Sequence, residues 1–318
     1  MHRLLATFAA AALLSTPGFA QDAPDEAAPD EGAEETSAAS SFPQSDIFLF
    51  DLSMDDGALS ISGGENVTNR SGYDNQPFFT PDSRAFLYSR SDKNQTDIYE
   101  YDIASRTARP ITQTETSEFS PVPSPDNAKI SFVTDGPGAN QNIAVMTRAT
   151  PPKTVNLLPG DSLREPIGYY SWNHATGDVL YWSRYGFNVT LTHAEKNVYH
   201  YVSGDAVPST PYVIPGSNRF SFVHRQGNSD VVIKAFDPET KSVTPLTSLP
   251  GANANYGWTP DGAILIIEGG VLHRWTQDSG TWDKVADLKD HGINSAARLS
   301  VSPDGTKLAI VGQAAKPR

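Results

Sequence analysis

Residues 75–103 have the sequence NQPFFTPDSRAFLYSRSDKNQTDIYEYDI, which contains a clear succession of strand and turn signals. An apolar segment ends at Phe79, the pair Pro81-Asp82 follows, and an alternating apolar run begins at Ala85. Proline pre-sets the backbone for a tight turn, and an aspartate carboxylate accepts a hydrogen bond from a nearby amide. Alternation of apolar and polar residues is typical of half-buried strands. The pattern, continued past residue 103, predicts four strands over 75–80, 85–90, 97–103 and 108–112.

The same pattern recurs along the chain at intervals of 41 to 49 residues. Five copies carry a proline at the turn, and a sixth carries a histidine at the same place: Pro81, Pro125, His174, Pro215, Pro260 and Pro303. A strand-rich repeat of about 40 to 50 residues is typical of the blades of a β-propeller. The sequence therefore predicts an all-β fold, a six-bladed β-propeller of four-stranded antiparallel blades.

The two ends of the repeat region each lack half a blade. Residues 46–52 (DIFLFDL) look like a third strand with no first or second strand before them, and only one strand follows the last turn at Pro303. The two incomplete ends complement each other if strands 46–52 and 58–62 pair outside strands 296–302 and 307–312. We therefore expect the last blade to be closed by strands from both termini, which leaves no unpaired inner edge.

The residues before the propeller predict export. The N-terminus is typical of a secretory signal cut after Ala20: it has a positive charge at Arg3, an apolar run over 4–14 and a small-residue segment at 18–20. The apolar run is too short to span a membrane. A short membrane anchor is the alternative. Residues 21–45 contain seven acidic and no basic residues, which predicts a disordered acidic tether. The predicted domains are thus a signal peptide (1–20), the tether (21–45) and the propeller (46–318), in a periplasmic or secreted protein.

The charge and the absence of cysteine exclude several classes of function. The chain has a net charge of −13; residues 1–20 carry +1 and residues 21–45 carry −7, so residues 46–318 carry −7. Binding to nucleic acid or to an anionic membrane requires basic patches, so neither is expected. Without cysteine there is no disulfide, thiolate site or lipid attachment. We expect a monomer with no membrane span.

The repeats resemble those of the TolB family. The best matches are the stretch quoted above together with GWTPDGAILII (257–267) and LSVSPDGTKLAIVG (299–312), and the resemblance covers residues 46–318. TolB has an α/β domain before its propeller and binds a peptidoglycan-associated lipoprotein at the propeller mouth, whereas this chain has only the acidic tether in that place. The resemblance implies a TolB-like propeller, but it does not identify the partner. Similar repeats also occur in prolyl-oligopeptidase-type peptidases and in some pectate-fragment lyases.

No catalytic motif stands out. A Gly-x-Ser-x-Gly elbow and an HExxH pair are both missing, and the histidines fall in different strands. The loop 92–97 spaces oxygen ligands at alternate positions, but it lacks the glycine and glutamate of a calcium loop. We predict no metal and no cofactor; whether there is enzymatic activity stays open, and the motifs favour none. Trp172 and Trp258 occupy a core position of the repeat, whereas Trp275 and Trp282 are expected to be exposed.

The channel mouth, where the innermost strands begin, is the candidate functional surface. Repeat alignment places amides, both charges and an aromatic ring there: Asn75, Gln76, Glu118, Arg164, Glu165, Asn255 and Tyr256. Such a mixture suits recognition; the alternative is that these residues only hydrate the channel. The sequence therefore predicts a non-catalytic scaffold that binds an envelope protein or peptide at the mouth. The alternative is a propeller that binds a carbohydrate or small ligand, such as a metal-dependent lyase or hydrolase.

Overall fold

The computed structural model describes residues 42–315 except 93, 137–139, 159–164 and 228–229. The predicted signal peptide and nearly all of the acidic tether lie outside these residues. The described chain forms 24 strands in six four-stranded antiparallel sheets, with one 3-10 helix at Leu288–His291. None of its helices is long and apolar enough to cross a membrane. The predicted six-bladed propeller is confirmed.

Five blades each use four consecutive strands, numbered outward from the channel. Their bounds are as follows: first blade, β3 Tyr73–Phe79, β4 Ala85–Ser91, β5 Thr96–Asp102, β6 Thr107–Pro110; second, β7 Ser117–Pro123, β8 Lys129–Gly136, β9 Asn140–Thr147, β10 Thr154–Asn156; third, β11 Ile167–Trp172, β12 Asp178–Ser183, β13 Val189–His193, β14 Lys196–Ser203; fourth, β15 Tyr212–Val213, β16 Phe220–Gln226, β17 Asp230–Phe236, β18 Val243–Ser248; fifth, β19 Tyr256–Trp258, β20 Ile264–Glu268, β21 Val271–Trp275, β22 Trp282–Asp287.

The sixth blade combines the two ends of the chain, as predicted. Its order from the channel outward is β23 (Ile293–Val301), β24 (Lys307–Ala314), β1 (Asp46–Asp55) and β2 (Ala58–Asn66). Strand β1 pairs with β24 from Asp46 opposite Gly312 to Asp51 opposite Lys307. The inward side chains of β1, among them Phe48 and Phe50, are buried against β20 and β24. The N-terminal strand thus supplies both hydrogen bonds and core to the blade.

A buried ion pair joins this closing blade to the first blade. The Asp74 side chain is fully buried, and its Oδ1 atom lies 3.0 Å from Nη2 of Arg70. The backbone amide of Arg70 donates to Oδ1 of Asp46 in β1 at 3.3 Å, and Ser45 Oγ donates to the Asp74 carbonyl at 3.0 Å. Burial raises the pKa of Asp74 to about 6, although the charge of Arg70 opposes the shift. This carboxylate therefore lies at the junction of the two blades.

The Pro-Asp carboxylates stabilise the turns. Thr80 Oγ1 donates to Oδ1 of Asp82 at 2.7 Å, and the Arg84 amide donates to the same oxygen at 3.1 Å. Asp126 and Asp304 accept equivalent bonds from a serine hydroxyl and a following amide. The Thr80 hydrogen bond is the main cause that lowers the pKa of Asp82. The acidic residues of the repeat are bound up in local turn structure, as the sequence indicated.

Neighbouring blades contact through apolar side chains and through buried hydroxyl groups. Tyr170 Oη donates to Ser131 Oγ of the preceding blade at 2.7 Å, and Tyr256 makes the same contact with Ser221. The expected exposure of Trp275 is wrong: only 4% of this residue is accessible, because it packs into the core cluster that contains Tyr256.

The other three tryptophans discussed from the sequence also pack against core clusters. Trp172 and Trp258 are partly buried, as their repeat position predicted. Trp282 is partly buried as well, in contrast to its expected exposure, and its Nε1 donates to the Ser248 carbonyl at 2.8 Å.

Candidate binding site in the central channel

Six innermost strands surround the channel, and one position of the repeat lies on or just before each of them. In four of them the ladder register breaks near this position, for example between Asn75 and Phe78 and between Phe119 and Val122. A β-bulge of this kind redirects side chains relative to the regular pleat. The position lies five residues before each turn marker and is occupied by Gln76, Ser120, Tyr169, Thr210, Asn255 and Arg298.

A narrow cavity of about 30 Å³ lies on the axis and is called the neck here. Residues of five blades line it, among them Gln76, Ser120, Thr210, Tyr212 and Arg298. A cavity that touches five of six blades must lie at the centre of the ring. Gln76 fixes one wall, because its Oε1 accepts hydrogen bonds from Ser89 Oγ at 2.9 Å and from the Ser120 amide at 2.8 Å.

A wider cavity of about 570 Å³, called the vestibule here, lies beside the neck on the first three blades. Its lining combines aromatic rings with a few polar side chains: Phe42, Tyr73, Gln76, Phe119, Asp135, Gln141, Tyr169, Trp182 and Arg184, with smaller residues between them. Gln76 lines both cavities, so the vestibule and the neck are adjacent. The size and composition of the vestibule match those of pockets that bind small molecules.

Phe42 packs into the vestibule from outside the blades. Its ring centroid lies 5.2 Å from that of Tyr73 and 5.9 Å from that of Phe119. Trp182 forms another wall: its ring centroid is 5.8 Å from that of Tyr169, and its Nε1 donates to the Ala206 carbonyl at 3.0 Å. This bond fixes the orientation of the indole in the wall.

Arg298 lines the neck and contacts Tyr169, which lines the vestibule. Its Nη2 donates to Tyr169 Oη at 3.2 Å, and its Cζ lies 5.2 Å from the centroid of the same ring. Tyr73 and Tyr212 are close enough for the Arg298 charge to oppose the pKa shifts of their hydroxyls. Burial dominates these shifts, raising the pKa of Tyr73 to about 12 and that of Tyr212 above its usual value. Both hydroxyls are therefore protonated at neutral pH.

Two of the predicted site residues are held in the protein interior. Glu118 is buried, and it accepts hydrogen bonds from the hydroxyls of Thr112 at 3.0 Å, Thr116 at 3.1 Å, and Thr114. Its pKa is raised by burial. Tyr256 is also buried, in the contact with Ser221 described above, and burial raises the pKa of its hydroxyl far above its usual value. Both side chains organise the walls rather than line either cavity.

The remaining predicted residues have different surroundings. Gln76 lines both cavities, whereas Asn75 Oδ1 accepts from the adjacent Gln76 amide at 2.7 Å and Asn255 Nδ2 donates to Asn253 at 3.0 Å. Glu165 accepts hydrogen bonds from Asn188 Nδ2 at 3.1 Å and from the Ser183 hydroxyl within its own blade. Arg164 lies outside the described residues. The assignment of a binding role to these seven positions stays a prediction.

Arg298 and Tyr169 were missed by the sequence analysis. They occupy the same repeat position as Gln76 and Asn255, so the repeat register itself contained the signal. Reading one position through all six copies would have found them. Among the described residues, no group of three or more His, Cys, Asp or Glu side chains is arranged to hold a metal ion.

The fold is that of a TolB-like six-bladed β-propeller, which confirms the resemblance at the level of structure. No family model matches the sequence, and no curated protein matches it. TolB from Acinetobacter baumannii aligns with 85% of this chain at 15% identity and a TM-score of 0.54, and this chain spans only 65% of that protein. A putative TolB from Agrobacterium tumefaciens aligns with 85% of this chain and 99% of its own length, at 12% identity and a TM-score of 0.62.

The same architecture occurs in a protein with a different activity. An oligogalacturonate lyase from Vibrio parahaemolyticus aligns with 85% of this chain and 98% of its own length, at 12% identity and a TM-score of 0.50. Identities this low show a shared fold only, and one fold supports many functions. The function must therefore be argued from the channel.

Proposed function

We propose that this protein is an exported, non-catalytic propeller that binds a peptide segment of a protein partner at the mouth of its channel. The vestibule carries the proposal: it is a cavity of about 570 Å³ with aromatic walls and a small number of polar groups. Aromatic residues and arginine are enriched where proteins bind protein partners. Export rests on the N-terminal sequence signal, and N-terminal sequencing of the secreted or periplasmic protein is expected to start at Gln21.

A rigid, preformed cavity favours binding of an extended segment. The walls belong to strands of three blades, and Gln76 and Trp182 are held by hydrogen bonds to neighbouring chain segments. Preorganised groups lose little conformational entropy when a ligand binds. A segment that carries an aromatic or aliphatic side chain would bury it against Tyr169 and Trp182, because Phe42 already packs against Tyr73 and Phe119.

Photo-crosslinking tests the location of binding. Replacing Phe42, which lines the vestibule, with p-benzoylphenylalanine is expected to yield a covalent adduct with a polypeptide after irradiation in the native cells. Tyr201 is the matched control position, because it is an aromatic residue that is 63% exposed on the outer strand β14 of the third blade. Adducts that form equally from both positions, or from position 201 alone, would contradict binding at the vestibule.

A carbohydrate is the second candidate ligand, because the same aromatic rings can stack against sugar faces. A glycan array distinguishes the two. Specific retention of an oligosaccharide, together with an absence of polypeptide adducts at position 42, would replace the proposed partner.

A further inference from the structure

The guanidinium group of Arg298 has an unusual environment for a cation inside a protein. Apart from Tyr169, it has no hydrogen-bond partner within the described residues, and no carboxylate there pairs with it. Charged groups removed from bulk water are normally paired. The other channel-side arginine, Arg184, does have such a partner, since its Nη1 lies 3.8 Å from Asp135. Within the described residues, Arg298 is therefore a positively charged side chain without an acidic partner.

The free side of this cation opens into the channel. Arg298 lines the neck, and the residue is only partly buried there. Its Nε and Nη1 atoms make no hydrogen bond within the described residues, so both can donate to a group that enters the neck. The Tyr169 oxygen accepts from Arg298, so the hydrogen of that hydroxyl is available to donate to a second group.

From this geometry we infer that Arg298 and the Tyr169 hydroxyl bind a carboxylate group of the peptide that occupies the vestibule. The inference rests on the proposed peptide-binding function and specifies the chemical group that the site recognises. A guanidinium presents paired N–H donors that match the two oxygens of a carboxylate, and such bonds are among the strongest in proteins. The protonated Tyr73 hydroxyl nearby adds a neutral polar neighbour rather than a competing charge.

The size of the neck limits what reaches Arg298. A cavity of about 30 Å³ exceeds the roughly 10–15 Å³ that a water molecule needs, and it is far smaller than the vestibule of about 570 Å³. The carboxylate must therefore stand at the end of a peptide or on a side chain, while the rest of the ligand stays in the vestibule. Because residues 46–318 carry a net charge of −7, the attraction at Arg298 is local and acts after the segment has entered.

Three libraries of synthetic eight-residue peptides test the inference. The first has a free C-terminal carboxylate and no Asp or Glu, the second has a C-terminal amide with Asp and Glu allowed, and the third has a C-terminal amide and no carboxylate at all. Each is incubated with the purified protein, and retained peptides are quantified by mass spectrometry. We expect the first or the second library to be retained at least about tenfold better than the third. Which of the two is retained distinguishes a terminal carboxylate from a side-chain carboxylate.

Variants connect this preference to one residue. Arg298→Gln is expected to reduce retention of the preferred library to the level of the third, and Arg298→Lys to reduce it about tenfold, because an ammonium lacks the paired donors. Arg84→Gln removes an exposed positive charge outside the channel and is expected to behave like the wild-type protein. Thermal melting of each variant shows whether it is folded. If Arg298→Gln is unfolded, the peptide retention of Arg298→Lys tests whether Arg298 binds the carboxylate.

Different outcomes of this experiment would contradict the carboxylate site and the proposed peptide binding. Equal retention of all three libraries, or a carboxylate preference that survives Arg298→Gln and Arg298→Lys, would overturn the carboxylate site and leave peptide binding at the vestibule intact. Retention of none of the libraries would contradict peptide binding itself, and the carboxylate site with it.

Discussion

Replacing Phe50 with alanine is expected to destabilise the entire ring, although the residue lies in the N-terminal strand. Only 1% of Phe50 is exposed, and it packs in a cluster with Leu265 of the fifth blade and Leu308 of β24. Its ring also meets the edge of His291 at a centroid distance of 5.3 Å. Strand β2 packs closely against the Phe50 side chain, because a Cβ atom at Gly64 would lie 2.7 Å from Phe50 Cε1.

The expected loss is about 3–5 kcal/mol of unfolding free energy, the usual cost of truncating a fully buried phenylalanine. That is a large part of the roughly 5–15 kcal/mol that stabilises a typical domain. Met54→Ala is the matched control: Met54 lies in the same strand but is 41% exposed, so its replacement is expected to change the free energy by less than about 0.5 kcal/mol.

Equilibrium unfolding in urea, followed by tryptophan fluorescence and by circular dichroism, measures the effect. All five tryptophans lie in the third and fifth blades, so their fluorescence reports on blades other than the closing one. If closure is part of one cooperative unit, Phe50→Ala shifts both signals to the same lower midpoint. An unchanged fluorescence midpoint, or a loss below about 1 kcal/mol, would refute the reasoning that β1 secures the ring.

Two further predictions concern the blade junctions. The native pKa of Asp74, about 6, lies above the value of roughly 3.9 for an unfolded chain, so the native state binds the extra proton and the free energy of unfolding falls as pH rises from about 4 to 6. The Asp74→Asn variant lacks this carboxyl group, so we expect its free energy of unfolding to fall by up to about 3 kcal/mol less than that of the wild-type protein. Urea midpoints between pH 4 and pH 7 measure the difference, and parallel pH profiles for the two proteins would contradict this prediction. Tyr170→Phe removes the hydrogen bond to Ser131 and is expected to cost about 1 kcal/mol, whereas Tyr201→Phe on the exposed outer strand is expected to be neutral in the same urea assay.

The sequence predicted the blades because the information that forms them is local. Each turn contains its own proline, carboxylate and hydroxyl, and each strand has its own alternation, so a single copy such as 75–103 identifies the unit. The closure also followed from the sequence, since two half-blades have only one way to complete each other. Exposure was harder to predict: Trp275 was expected at the surface, but it faces the adjacent blade, whose position the local pattern does not contain.

The channel residues were harder still, because successive residues of a strand point to opposite sides. Asn255 and Tyr256 are neighbours in sequence, yet the Tyr256 side chain is buried between blades. The bulges in the innermost strands shift this alternation further; Pro77 and Pro121 lie within two of them, but the others contain no proline, so no single residue type marks the bulge. Arg298 shares the repeat position of Gln76, but its contact with Tyr169 joins two blades that are far apart in the sequence, so the contact follows only from the ring.

The pairing of β1 with β24 has a consequence for how the chain folds. Asp51 and Lys307 face each other although they are 256 positions apart in the chain, so this ladder has nearly the largest sequence separation that the described residues allow. Contacts of such high contact order form late, because the entropy of closing the loop must be overcome first. During synthesis β1 is made early, and it cannot pair until β24 has been synthesised. Until then the side chains of Ile47, Phe48 and Phe50 lack their core contacts with β24. For that interval the growing chain carries an apolar strand with an open edge, which is a natural target for a chaperone and the point at which folding is most exposed to aggregation.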